Sequence, residues 1–268
     1  MFCTGNNRSH FLTFAPMRYF LQLSFKGTGY HGWQEQSNSA ETVQEICNKA
    51  ISKVLNHPVK LAGAGRTDTG VHAEQFFAHF DSPLENLAED KRNWLHKFNS
   101  VTPFTIAFQD IRKVKPDAHA RFDATSRTYR YDIYTRKNPF LYNNALFFPY
   151  PLDLGKMNKA CATLKQHKDF SSFKKTHSNN KTDTCTIKFA HWEMQGDKLS
   201  FTITADRFLR NMVRAIVGTM LNVGNGKYTH ADFLKIIEGK NRSKAGATVA
   251  ACGLYLTAIE YPPEIFLS

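Results

Sequence analysis

An α+β fold, with a largely antiparallel sheet and helices on one face, is what this 268-residue sequence predicts. Three observations carry that expectation. Strand-like alternation recurs along the chain, as in Arg18 to Phe25, where Tyr19, Leu21, Leu23 and Phe25 share a face. Helical segments are interleaved with these strands. One pair of strands is joined by a tight hairpin, which favours antiparallel pairing over a doubly wound parallel sheet.

The elements follow in order. Lys26 to Trp33 is rich in glycine and must turn. Thr42-x-x-Glu45 is a capping-box pattern, and Val43, Ile46, Ala50, Ile51, Val54 and Leu55 recur behind it at helical spacing. A strand is expected just before Gly63, and Phe76-x-Ala78-x-Phe80 continues the sheet. Leu84 to Phe98 reads as a helix and Ile106 to Val114 as a strand. A second series begins after Pro116. Thr128 to Tyr134 is strand-like and rich in tyrosine. Leu154 to His167 is an amphipathic helix carrying Met157, Ala160, Cys161 and Leu164. Ile187 to Met194 pairs with Lys198 to Ala205 across Gln195-Gly196-Asp197. A helix is expected from Arg207 to Asn222, a short one from Asp232 to Ile237, and a last strand from Leu254 to Ile259. The two series have similar content, which suggests a structural duplication. They divide the chain into a leader (1–16), an N-terminal half (17–115) and a C-terminal half (116–268).

Composition narrows the function. The 35 Lys+Arg residues outnumber 23 Asp+Glu, giving a net charge of +12, which suits a polyanionic partner such as nucleic acid or an anionic membrane surface. No apolar run approaches the roughly 18 residues of a membrane span. Phe11, Leu12 and Phe14 do not amount to the apolar core of a signal peptide. Cys3, Cys47, Cys161, Cys185 and Cys252 are scattered, with no C-x-x-C pair, so neither zinc nor a disulfide framework is indicated and a reducing cytoplasm is the expected location. His72 and His79 are spaced too far apart for one helical turn, so no metal site is expected.

Residues 63 to 73, Gly-Ala-Gly-Arg-Thr-Asp-Thr-Gly-Val-His-Ala, are the segment richest in chemistry. They isolate one carboxylate, Asp68, in a turn punctuated by Gly65 and Gly70, whose freedom of backbone geometry suits such a turn. Arg66 is placed to favour its charged form. A lone carboxylate of this kind can act as nucleophile or base. The competing reading is a polar turn between strands. Gly63-x-Gly65 lacks the third glycine of a dinucleotide fingerprint.

Three further groups could serve that carboxylate. On the expected helix, Arg207, Arg210 and Arg214 fall at i, i+3 and i+7 and share a face opposite an apolar stripe. They read either as a solvated face or as a guanidinium row for phosphates or a buried carboxylate, with Arg214 placed to reach Asp68. Arg127 to Tyr134 interleaves arginine with tyrosine, which suits base stacking and equally suits a core strand. Lys174 to Lys181 is a polar cationic loop, solvated in its own right and a candidate clamp for a polyanion through Lys174, Lys175 and Lys181.

These residues resemble a known family. Gly65-Arg66-Thr67-Asp68-Thr69-Gly70-Val71-His72-Ala73 resembles the signature of TruA-type tRNA pseudouridine synthases. Gly27-Thr28-x-Tyr30-x-Gly32-Trp33-Gln34-x-Gln36, Val43-Gln44-Glu45, His119-Ala120-Arg121-Phe122-x-Ala124 and Tyr129-Arg130-Tyr131 follow in family order. Met212-Val213-Arg214-x-Ile216-Val217-Gly218 and Gly253-Leu254-Tyr255-Leu256 complete the series. Lys26, Ala118 and Asn99 to Pro103 depart from the pattern. The resemblance implies two ferredoxin-like halves sharing one sheet, with a catalytic cleft between them. It implies a cofactor-independent isomerase that acts, as a homodimer, on uridines of the tRNA anticodon arm at positions about 38 to 40. It implies Asp68 as the catalytic carboxylate, Arg214 as its ion-pair partner, Tyr129 stacking on the uracil and Arg66 receiving the flipped nucleotide. Two other readings share some of these features. A non-catalytic tRNA-binding or chaperone module needs the charge and the aromatic strand but gives no reason for Asp68 to face Arg214. A base-releasing glycosidase calls for a second cooperating carboxylate.

Overall fold

The structure, a computed structural model, describes residues 16–36, 41–176, 178 and 182–267. The expected leader, apart from its last residue, and Lys181 lie outside these residues. The chain forms the expected α+β fold.

In the first half, β1 (Met17–Phe25) buries Tyr19, Leu21, Leu23 and Phe25 as its alternation requires. In α1 (Val43–Leu55), the Thr42 hydroxyl accepts the Glu45 N–H, the cap its sequence predicted. The short β2 (Ala62–Gly63) leads to β3 (His72–Ser82). The next helix, α2 (Lys91–Ser100), is shorter than expected. The Leu84 carbonyl accepts the Tyr19 hydroxyl at 2.7 Å and Leu87 is fully buried, so the apolar residues before Lys91 anchor a turn to the core and form no helix. Strand β4 (Ile106–Lys113) follows.

The second half contains β5 (Ser126–Tyr134), a two-residue β6 (Leu146–Phe147), α3 (Leu154–Leu164), β7 (Ile187–Gln195), β8 (Lys198–Ala205), α4 (Met212–Gly224), α5 (His230–Glu238) and β9 (Leu254–Glu260). Two boundaries differ from expectation for local reasons. Asn211 takes a left-handed φ of 69°, which stops helix from propagating back through Arg207, so α4 begins at Met212. A complete capping box between Thr229 and Asp232 extends α5 back to His230.

Among the described residues, the nine strands form one sheet, ordered β4-β1-β3-β9-β5-β8-β7, with β2 paired to β3 and β6 to β5. The ladders are antiparallel except β3–β9 and β5–β6. Trp192, Phe201 and Tyr131 align across β7, β8 and β5 on the helix-bearing face, where the Trp192 indole N–H points to Met220 of α4 at 3.1 Å. Buried side chains form two clusters, one around Trp33, Phe76 and Phe98 and one around Tyr131, Trp192 and Phe201, and Tyr129 packs on both. The C-terminal residues Tyr261 and Phe266 return to pack on Phe20 of β1. Among the described residues, no helix is long and apolar enough to cross a membrane.

The β3–β9 ladder consists of two residue pairs, His72 with Tyr255 and Ala73 with Leu256. Arg127 reinforces this junction. Its guanidinium donates to the carbonyls of Ala124 (3.0 Å), Asp206 (2.9 Å), Arg121 (2.6 Å) and Ala64 (3.4 Å). Burial lowers its pKa, so the charge is tolerated because those carbonyls solvate it. Arg127→Met should lower folding stability in urea by roughly 1–3 kcal/mol, because three partly buried carbonyls and one exposed carbonyl lose their donor. Arg127→Lys should recover less than half of that, since one ammonium cannot reach four carbonyls. A urea midpoint unchanged in Arg127→Met would show that this residue does not hold the junction.

His79 gives the fold a pH dependence. It is buried in β3, and its Nδ1 accepts the Ala120 N–H at 3.2 Å, which only a neutral ring can do. Burial, with the nearby charges of His119 and Arg18, lowers its pKa from 6.5 to about 4, against smaller opposing effects of Asp81 and Asp123. The unfolded chain therefore takes up a proton below 6.5 that the folded chain resists until about 4, and stability falls as pH drops through that window. His79→Asn keeps an acceptor but does not titrate. Its urea midpoint should fall less than that of the wild type between pH 6.5 and 4, and parallel curves would exclude His79 as the cause.

Candidate active site

Asp68 lies in the loop between β2 and β3, and that loop is fixed by backbone contacts. The Val71 N–H donates to the Asp68 carbonyl at 3.2 Å, and the Gly70 N–H to the Tyr30 carbonyl at 3.4 Å. Gly70 has φ +80°, a conformation that side-chain-bearing residues resist. Gly32 presses so closely that a Cβ there would sit 2.3 Å from the Thr67 carbonyl. Gly65 differs from expectation: it has no left-handed φ, and a Cβ on it would meet open space. Beneath the loop, Trp33 is buried and its ring lies 4.2 Å from that of Phe76. Gln44 of α1 holds the same segment by accepting the Glu35 N–H (2.8 Å) and donating to the Leu61 carbonyl (2.6 Å).

Two guanidinium groups reach the carboxylate. Arg214 Nη1 lies 3.4 Å from Oδ2, and Arg210 Nε lies 3.5 Å from Oδ1. Arg214 sits in the first turn of α4, and its Nε donates to the Val249 carbonyl at 2.8 Å. Arg210 belongs to the turn before the helix. Its side chain is 60% exposed, against 18% for Arg214. One arginine is therefore largely enclosed and the other mostly open to solvent.

Tyr129 of β5 completes the group. Its ring meets Phe208 edge-on, with centroids 5.1 Å apart. Burial pushes its hydroxyl pKa up to about 12; the Asp68 charge adds to the shift and that of Arg127 opposes it. The tyrosine thus lies within electrostatic reach of a carboxylate that is remote from it in sequence.

The other residues singled out in the sequence fall elsewhere. Arg66 is exposed, and the ion-pair partners of Asp68 are Arg210 and Arg214, not this sequence neighbour. Arg207 precedes α4, so it shares no helix face with Arg214; its charge acts on Cys185, whose thiol pKa is pushed up to about 12 by burial. Lys174 forms an ion pair with Asp183. Lys175 is exposed, and its backbone N–H donates to the Arg210 carbonyl at 2.9 Å, which ties the start of the basic loop to the site.

The segment that orients the arginines is one that sequence reasoning misses. Asn211 donates to the Thr248 hydroxyl at 2.8 Å, as does Arg242. Gly218 of α4 lies so near this segment that a Cβ would meet the Ala247 carbonyl at 1.8 Å. A glycine inside an apolar helix is the available signal, because it marks a close backbone approach. Two surface concavities, of about 470 and about 290 Å³, lie beside Tyr150 and Lys227 and beside His72 and Tyr255; Asp68 lines neither. Among the described residues, neither Arg210 nor Arg214 pairs with another carboxylate. The geometry is that of one acid, two cations and an aromatic ring, which suits a nucleophile or base acting on a flat, anionic ligand.

A family model described as tRNA pseudouridine synthase matches residues 160–262. A tRNA pseudouridine synthase A of Bacteroides fragilis is 50% identical over 94% of this chain and 99% of its own length. Proteins of the same name from Parabacteroides distasonis and Bacteroides thetaiotaomicron are 47% and 48% identical over 93% of this chain, covering 98% and 92% of their own lengths. At such identity over nearly the whole of both chains, this protein belongs to the tRNA pseudouridine synthase A family, a family of isomerases.

Proposed function

We propose that this enzyme isomerises uridine to pseudouridine in the anticodon arm of tRNA, at positions about 38 to 40, with Asp68 as its catalytic carboxylate. The observation that carries the reading is the meeting of Arg210 and Arg214 on Asp68, with the charge of Asp68 felt at Tyr129. A uridine must leave its stack before its glycosidic carbon is accessible. Arg66, exposed at the mouth of the loop, receives the flipped nucleotide, and Tyr129 stacks on the uracil. Asp68 then attacks C1′ or removes a ribose proton. The N1–C1′ bond breaks, the uracil turns, and C5 bonds to C1′ as the Asp68–C1′ ester is displaced or, in the other route, as the ribose proton is returned; the proton lost from C5 balances the one gained at N1. Atoms and electrons balance without an oxidant or reductant. The aromatic surroundings keep water from trapping the detached sugar. The proposed enzyme works as a homodimer in the cytoplasm, its N-terminal half (17–115) supplying Asp68 and its C-terminal half (116–268) supplying the tyrosine and the arginines. Exposed Phe104, Phe140 and Tyr142 offer apolar surface for a second copy.

Transfer RNA carrying tritium at uridine C5 tests the reaction. Wild-type enzyme should release tritium without free uracil, and Asp68→Asn should release none while still binding tRNA. Free uracil would identify a glycosidase instead, and the absence of any reaction on unmodified tRNA would leave only a binding module.

The two arginines should separate kinetically. Arg214→Met should lower kcat by roughly a hundredfold or more, as loss of a fixed active-site charge does. Arg210→Ala, which removes an exposed side chain, should act mainly on KM. Equal losses of kcat in both variants would contradict this division of roles.

Salt dependence tests the basic loop. Neutralising Lys175 and Lys181 should reduce the slope of log K against log salt by about 0.9 for each phosphate that is no longer neutralised. Lys174, already paired with Asp183, should contribute less. An unchanged slope would remove the loop from the tRNA interface.

A further inference from the structure

We propose that the Glu74–Arg130 ion pair, on the face of the sheet away from the site, is a positioning device that sets the spacing between Asp68 and Tyr129. The proposal rests on the reading of those two residues as the working site. Asp68 precedes β3 and Tyr129 lies on β5, but these strands are not neighbours; β9 runs between them. The β3–β9 ladder has two residue pairs and begins at His72, just after the Asp68 loop. So short a ladder leaves room for splay, and any splay would change the distance from carboxylate to ring.

Arg130 spans the weak point. It follows Tyr129 directly, so its side chain lies on the opposite face of the strand. It aligns with Tyr255 of β9, and its guanidinium lies 5.0 Å from that ring's centroid. Beyond the ring it closes on Glu74 of β3 through two contacts, Nη1–Oε2 at 3.0 Å and Nη2–Oε1 at 2.7 Å. Its Nε is held by both oxygens of Asp132, at 3.0 and 3.1 Å. Asp132 is itself buried and takes further bonds from the Ser200 hydroxyl (2.8 Å) and Lys198 (2.9 Å). One side of the guanidinium is thus anchored in the second half while the other grips the first. A bidentate pair fixes angle as well as distance. His72 reinforces it, its ring stacked 4.6 Å from that of Tyr255 and its Nδ1 accepting the Gly27 N–H at 3.0 Å.

Two considerations favour position over other roles. The Glu74 side chain is 48% exposed, so water screens its pair and limits what it adds to stability. Removing Glu74 leaves Arg130 paired with Asp132, so no buried charge is orphaned. A substrate contact is disfavoured too, because a carboxylate on this face would repel a phosphate backbone.

Steady-state kinetics of tRNA modification by Glu74→Ala, Glu74→Gln and Arg130→Lys tests the idea, with thermal midpoints measured alongside. Glu74→Ala should lower kcat by roughly ten- to a hundredfold, the scale of a small misplacement of reacting groups, with KM and thermal midpoint near wild type. Glu74→Gln, which keeps the reach and one neutral bond, should recover part of the rate. Arg130→Lys, a point charge without the fork, should show the same loss in kcat. A Glu74→Ala enzyme within about twofold of wild-type kcat, or a loss that falls on KM or follows the thermal midpoint, overturns the proposal. Asp68→Asn in the same assay separates the two readings. Turnover retained there overturns the site itself, whereas an inactive Asp68→Asn beside a full-rate Glu74→Ala overturns only the positioning role.

Discussion

Everything distinctive in this molecule depends on how β9 docks against β3. The two halves share one sheet, yet the ladder that joins them is parallel and two residue pairs long. Two pairs of parallel hydrogen-bonding residues cannot by themselves fix the relative placement of two cores. The structure compensates at two places. At one, His72, Tyr255, Arg130 and Glu74 form a continuous row of stacked rings and ion pairs. Elsewhere at the junction, Arg127 gathers carbonyls from Ala64, Arg121, Ala124 and Asp206. The C-terminal residues then fold back across the first half, where Phe266 forms a bridge with Val114. Asp68 and its arginines come from opposite sides of this junction, so the same interactions that join the cores also assemble the site.

The electrostatics follow from that placement. A protein with a net charge of +12 attracts polyanions, but a bare carboxylate in the β2–β3 loop would repel them locally. Pairing Asp68 with two guanidinium groups reverses the local sign. Arg214 contributes a fixed charge, because α4 and the Val249 carbonyl hold it. Arg210, largely exposed, contributes a charge from outside the helix. The two cations are therefore not duplicates: one belongs to the scaffold and the other to the surface.

How much of this is legible in the sequence depends on the range of the interaction. Alternation predicts β1 and β8 because strand burial has a period of two residues, while tyrosine content marks β5 and the Gln195-Gly196-Asp197 turn marks the β7–β8 hairpin. The Asp68 loop is legible because a lone carboxylate in a glycine-bounded turn is a local pattern, although its cations, Arg210 and Arg214, come from far along the chain. The start of α4 is not, because it turns on the left-handed Asn211, and asparagine also occurs inside helices. That one residue separates Arg207 from the face it was expected to share with Arg214. Arg127 and Arg130 are both visible as residues on the tyrosine strand, but their partners are not. Carbonyls carry no residue-type signal, and Glu74 and Asp132 look like ordinary polar positions until the strand order is known. Helix α2 falls short of its expected start because Leu84 and Leu87, which fit helical spacing, serve instead as anchors for Tyr19 and the core.

Distances within the molecule distinguish structural ion pairs from the pair at the site. Arg18 grips Asp81 at 2.7 and 2.9 Å, and Arg130 grips Glu74 at 2.7 and 3.0 Å, both bidentate and at charge-assisted lengths. The contacts to Asp68 are different: one atom from each arginine, at 3.4 and 3.5 Å. A carboxylate engaged as tightly as Asp81 has its lone pairs committed and its orientation fixed by the cation. Asp68 is oriented by its own loop, through Gly70, Tyr30 and Gly32, and its arginines stand off at a distance that leaves lone pairs available. Held by its backbone more than by its charge, Asp68 stays placed while its oxygens remain accessible, which is what the role proposed for it requires.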